Sequence, residues 1–284
     1  MRTDANRTGL GSLVTGAVTA VGIAVQTGLA AVVAVVIARK LGRTAETDGF
    51  IAAYGVFIVL ALAATAVRVT VLPSLARARD AGRLSSETAS YALAVGVVAL
   101  PLLAVTVIAA RPIAELLTGF GPDAAVDAAA AALPWMVVAG LGQFTAGLLA
   151  STLAALDDYV VPALAFIAGS VTGLVVLLVR IDESRTEAVA WGMALNAVLA
   201  TTLMALWLWR RARHERMPAA APRADVRGSG RRLVELGSGA ALPFALQAIF
   251  LVCLPIAARE GVGSVTSPTE EALIPTTAAA IRYA

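Results

Sequence analysis

Charge is what this chain has least of. Only 14% of its 284 residues are Asp, Glu, Lys or Arg, against roughly a quarter in soluble domains. With 59% of residues hydrophobic and a mean hydropathy of +0.82, there are too few ionisable groups to cover a water-soluble core. Cysteine and histidine occur once each. Cys253 alone excludes an intrachain disulfide or a Cys-based zinc cluster, and His214 has no second ligand at metal-binding spacing, so both read as structural or incidental. Lysine also occurs once, at Lys40, and arginines carry nearly all of the basic charge. They lie in turns between apolar runs, the pattern of membrane topology rather than of a nucleic-acid partner.

Uncharged sequence is abundant. From Ala128 to Leu156 there is no ionisable side chain, and at about 1.5 Å rise per residue such a run exceeds the ~30 Å hydrocarbon core of a bilayer. Seven segments have this character, at about 12–38, 49–71, 88–110, 130–156, 160–179, 188–209 and 236–258. Their continuous apolarity, in place of strict alternation, predicts helices rather than barrel strands. Pro101, Pro134, Pro162 and Pro243 are tolerable inside helices that pack against one another in a membrane. Gly169 and Gly173, four apart, suit close helix contact. The uncharged run from Thr8 to Ala38 is too long for a signal-peptide core and reads as a retained first helix.

Basic residues in alternate loops predict a cytoplasmic N-terminus, the loops of that side holding more arginines. The expected organisation is all-α and integral to the membrane. A six-helix lobe over 1–209 is followed by a basic cytoplasmic linker over 210–235, a seventh helix over 236–258 that starts a second lobe, and a polar, truncated-looking tail over 259–284. The linker, with eight arginines between Arg210 and Arg232, suits anionic headgroups and is the candidate contact for a cytoplasmic partner.

No constellation for catalysis, metal binding or a cofactor occurs. An ionisable residue within a span is the usual functional pointer in a membrane protein, and Arg68, about one turn before Pro73, is the clearest here. It either faces a cavity and an anionic headgroup or extends to the interface with Arg77 and Arg79. Gln26, Gln143, Asn196 and Gln247 each place an amide in mid-span, where it either holds the bundle together or contacts substrate. Arg68, Gln26, Gln143 and Asn196 are the candidate substrate-binding set. Asp157-Asp158 reads as a solvated turn or a gate, and Trp135, Trp191, Trp207, Trp209 and Tyr159 as interfacial aromatic belts.

Ala38-Arg39-Lys40-Leu41-Gly42, followed by Thr47-Asp48-Gly49-Phe50, resembles the turn between the first two helices of the MviN/MurJ lipid flippases. Val71-Leu72-Pro73-Ser74-Leu75 is similar to the end of that family's second helix. Leu133-Pro134-Trp135 and Leu156-Asp157-Asp158-Tyr159-Val160-Val161-Pro162-Ala163 resemble its central hairpin, Ala188-Val189-Ala190-Trp191-Gly192 its sixth helix, and Gly261-Val262-Gly263-Ser264-Val265-Thr266 the stretch after its seventh. The resemblance implies the fold of the multidrug, oligosaccharidyl-lipid and polysaccharide exporter superfamily, here a first lobe plus one helix of the second. It implies a multi-pass protein of the bacterial cytoplasmic membrane. The function implied is movement of a polyprenyl-diphosphate-linked sugar or peptidoglycan precursor by alternating access, coupled to an ion gradient or the membrane potential. Val33 and Ala34 stand where the family's peptidoglycan-precursor flippases carry an Arg-Asp pair, and Ile58 to Ala63 where their second-helix arginines fall, which favours another lipid-linked glycan or a divergent paralogue. The alternatives are a multidrug exporter-like protein and a non-transporting scaffold that recruits cell-wall proteins through the basic loop.

Overall fold

The computed structural model describes residues 21–214 apart from 23, 26 and 30, together with helical positions between 232 and 255. Among the described residues there is no strand. Helix α1 is unbroken over residues 31–40, and five more follow: α2 (Ala45–Asp80), α3 (Leu84–Ile108), α4 (Ala110–Leu117), α5 (Asp123–Ala155) and α6 (Val160–His214). Four of these, α2, α3, α5 and α6, are long and apolar enough to cross a membrane.

The ends of α2 follow from its sequence. Thr44 Oγ1 accepts a hydrogen bond from Thr47 N at 3.3 Å and caps the first turn. Glu46 and Asp48 lie in that turn and Arg77 and Arg79 in the last, each sign at the helix end whose dipole it complements. The helix therefore runs well beyond the expected 49–71, because a polar first and last turn suits an end that leaves the hydrocarbon. α5 likewise begins at Asp123 instead of about 130. The expected segment 88–110 stops at Ile108, and a separate short helix, α4, follows it. Pro73, Pro101 and Pro134 all sit inside helices.

α6 is two helices joined at Arg185, whose φ of 43° and ψ of −114° are not helical. The halves fold back on each other. A Cβ at Gly173 would lie 2.5 Å from the Gly192 carbonyl oxygen, and one at Gly169 would lie 2.6 Å from that of Asn196. Backbone meets backbone at these positions, and only glycine leaves room for it. The expected pair of segments, 160–179 and 188–209, corresponds to the two arms of this hairpin.

Ion pairs gather at the two ends of the bundle. At one end Lys40 Nζ meets Asp182 Oδ1 at 2.8 Å, Arg185 meets Glu46 at 3.3 Å, and Arg111 meets Asp127 at 2.9 Å. At the other end Arg79 pairs with Asp157 at 2.7 Å, Arg211 lies 3.8 Å from Asp158, and Arg232 pairs with Glu87. Between them the packing is apolar. One cluster, including Phe50, Leu133, Met136 and Val189, joins α2, α5 and α6 near the Lys40 end. A second, including Val71, Leu75, Tyr91 and Leu148, joins α2, α3 and α5 near the Arg79 end.

The described positions after the linker connect the same two ends. Leu236 is buried in the cluster at the Arg79 end, whereas Pro255 lies against Gly119 beyond α4. Residues 12–20, most of the 210–235 linker and the 259–284 tail lie outside the described residues.

Candidate functional site

Arg68 lies in the half of α2 nearer the Arg79 end. It precedes Arg79 by eleven residues, about 16 Å along a helix, while its neighbours Phe166 and Gly147 each lie eight residues, about 12 Å, inside the Asp158 and Ala155 turn. A guanidinium at that depth is expensive, roughly 3 kcal/mol for an arginine at mid-span. Its carbon Cζ sits 5.0 Å from the centroid of the Phe166 ring, a contact worth about 2 kcal/mol when desolvated. Stacking therefore offsets only part of the cost.

The backbone makes the room. A Cβ on Gly147 would stand 3.2 Å from Arg68 Cγ and 3.3 Å from its Nε, so a larger side chain there would displace the arginine. Among the described residues no carboxylate pairs with Arg68. The side chain borders a cavity of about 350 Å³ between α2, α5, the first arm of α6 and Gly22, a volume within the range of small-molecule sites. Val69, Leu72, Ser151, Tyr159 and Phe166 line it as well. Val69 is 74% exposed, and Leu72 and Tyr159 about 40%, so the cavity opens sideways, where lipid would lie around a spanning bundle. The Ser151 hydroxyl donates to the Gly147 carbonyl at 2.9 Å. Arg68 thus lies deeper than an interfacial residue extending beside Arg77 and Arg79. Arg77 Nε instead donates to the Pro73 carbonyl at 3.2 Å, and Arg79 to the Ala155 carbonyl at 2.8 Å.

The other candidate residues divide. Gln143 is half-buried on α5, one turn before Gly147 and so on the same helix face. Asn196 belongs to the α6 hairpin, where its buried Oδ1 has no hydrogen-bond partner among the described residues and lies against Gly169, three residues along from Phe166. Gln26 and Gln247 lie outside the described residues, as does Cys253.

The turn below the cavity is held by more than solvent. Asp157 takes a φ of 60° and its carboxylate accepts from Arg79 at 2.7 Å. Asp158 accepts from Trp207 Nε1 at 2.9 Å and from Val161 N at 3.3 Å, which caps the first arm of α6. Tyr159, next in the chain, lines the cavity. Three of the tryptophans fall into two groups. Trp207 is engaged at this end, whereas Trp135 and Trp191 meet edge to face at 6.5 Å toward the other, with Arg180 over Trp191.

Sequence reasoning missed Phe166, Ser151 and Gly147, because a phenylalanine, a serine and a glycine within an apolar run carry no signal until a neighbouring helix is placed. It also missed the docking of Arg232, which lies over the Tyr91 ring and pairs with Glu87, while Ser74 donates to Glu87 at 3.1 Å.

Comparison with protein-family models, curated proteins and solved structures finds no match. The helices define the class by themselves, that of an all-α, multi-pass membrane protein.

Proposed function

We propose that this protein is a flippase-type transporter that moves a lipid-linked polar headgroup, by its resemblance a polyprenyl-diphosphate-linked sugar, from the inner to the outer leaflet by alternating access. One observation carries the reading: Arg68 is held inside a span, without a carboxylate among the described residues, beside a cavity that opens sideways. A large polar headgroup does not cross hydrocarbon unaided, and a cation kept at depth is a means of drawing an anionic one inward. The quoted motifs fall at turns and at a helix start. Gly42 closes the turn before α2 with a φ of 65°, Asp157 the turn before α6 with a φ of 60°, and Ala188-Val189-Ala190 are buried in the core at the start of the second arm of α6.

The test is translocation of a fluorescent polyprenyl-diphosphate sugar in proteoliposomes. By its resemblance the chain is one lobe and a helix, which cannot rock against itself, so the reconstituted monomer should move it no faster than protein-free vesicles do, and the dimer or the chain paired with a second protein should move it faster. Arg68→Gln should slow the protein-dependent rate about tenfold or more, the factor for roughly 1.4 kcal/mol of lost interaction with a buried charge. Translocation by the reconstituted monomer, or none by the dimer or the paired chain, overturns the proposal.

A further inference from the structure

We infer that Arg79 and Asp157 form a gate on the Arg68 cavity, an ion pair that shuts it toward the Arg79 end while it stays open to the side. Resting on the reading of this cavity as the transport site, the gate is the contact that must part for loading from that end.

The pair lies directly beneath the cavity. Arg79 follows Arg68 by eleven residues on α2, close to three full turns, so both arginines lie along one stripe of the helix. Leu72, on the same side one turn after Arg68, borders the cavity as Arg68 does. On α5 the lining residue nearest the turn is Ala154, and Arg79 Nη1 donates to the carbonyl of the next residue, Ala155, at 2.8 Å. Beyond the turn the lining resumes at Tyr159. Between them the Asp157 carboxylate accepts from the same Arg79 nitrogen at 2.7 Å. One guanidinium thus ties α2 to the α5–α6 turn below Leu72, Ala154 and Tyr159.

The two aspartates of that turn differ in a way that suits a moving part beside a fixed one. Asp158 has a side chain 17% exposed, caps the first arm of α6 and holds the Trp207 indole, so it is the pivot. The Arg79 and Asp157 side chains are 43% and 71% exposed, and a pair so well solvated breaks and reforms at little cost. Asp157 also holds a φ of 60°, a strained conformation for a residue with a side chain. Release of its carboxylate lets that backbone relax. A contact that is weak and strained, next to a rigid anchor, has the properties of a gate rather than of a brace.

Water access in the whole protein, measured in oriented vesicles without substrate, tests the gate. In a Cys253→Ser background, Ser151→Cys puts a thiol at the cavity. Thr152→Cys puts one at the same depth on the face turned to α3, where Thr152 meets Thr88 at 3.3 Å. The rate of modification by an impermeant methanethiosulfonate is followed from the Arg79 side. With the pair intact both thiols should react slowly. Asp157→Asn should speed reaction of Ser151→Cys about threefold, the scale of one exposed ion pair. Arg79→Gln should speed it about tenfold, because the charged bond to the Ala155 carbonyl is lost as well. Arg79→Lys keeps the pair and should stay near the native rate. The double variant Arg79→Gln/Asp157→Asn should be no faster than Arg79→Gln alone, since both residues serve one contact. Thr152→Cys should react at the same slow rate throughout. No acceleration at Ser151→Cys, equal acceleration of both thiols, additive effects in the double variant, or an Arg79→Lys as fast as Arg79→Gln overturns the inference. Gated access without translocation by the dimer or the paired chain would sink the transport proposal and leave the gate standing, whereas translocation with ungated access would do the reverse.

Discussion

A charged side chain in this molecule owes its worth to how much water surrounds it. Lys40 and Asp182 meet at 2.8 Å, yet both side chains are more than half exposed, and such pairs contribute about 0–1 kcal/mol. Asp158 is different: its side chain is 17% exposed, it caps α6 and it accepts the Trp207 indole proton. Asp158→Ala should therefore lower unfolding stability in detergent by about 1–2 kcal/mol, the cost of a lost cap and of a lost charge-assisted contact to the indole. Lys40→Ala should cost less than about 1 kcal/mol. Thermal or denaturant unfolding of the two variants checks the ordering, and equal losses would show that the Asp158 contacts are not formed. Arg68 is the extreme case. Its environment is apolar, and Gly147 leaves the space it occupies.

At the scale of the element, the α6 hairpin depends on two features of opposite kind. The arms touch at Gly173 and Gly192, where either Cβ would come within 2.6 Å of the facing carbonyl oxygen. Gly173→Val must push the arms apart and should cost about 1–3 kcal/mol through overpacking. The turn between the arms rests on Arg185 at a φ of 43°, a conformation costing about 1–3 kcal/mol in a residue with a side chain. Arg185→Gly should be neutral or mildly stabilising despite losing the half-exposed pair with Glu46, because glycine adopts positive φ freely. Arg185→Val should be clearly worse than either. Melting temperatures of the three variants decide the matter, and a stable Gly173→Val would mean that the arms do not meet there.

For the whole molecule, the two sets of ion pairs mark opposite faces of one bundle. With Cys253 replaced by serine, a cysteine placed at Asp182 and one placed at Asp157 should react with an impermeant maleimide from opposite sides of oriented vesicles. Labelling of both from the same side would refute the arrangement of α5 and α6. The basic side chains further predict that Asp157 faces the cytoplasm, since Arg77, Arg79, Arg83, Arg211 and Arg232 share that end. At the same end Arg232 lies on Glu87 and Tyr91, and Leu236 is in the core beside Val71 and Leu75.

The amino-acid sequence by itself determined that the chain is helical and built of membrane-length apolar runs, because a continuous uncharged run such as 128–156 satisfies its backbone only as a helix in lipid. It also located the turns, since residues such as Lys40, Asp157 and Arg185 cannot stay in hydrocarbon cheaply, and it singled out Arg68 for the same reason. What it left open is everything that depends on which helix stands beside which. The continuation of α2 and α5 past their apolar stretches, the separate α4, and the contacts of Asp157 and Asp158 follow from caps and partners distant in sequence. Whether Arg68 reaches the interface or lies in a cavity was decided by Gly147 and Phe166, two residues whose types carry no chemistry of their own. Only the tertiary structure places an aromatic ring and a missing side chain beside the same arginine.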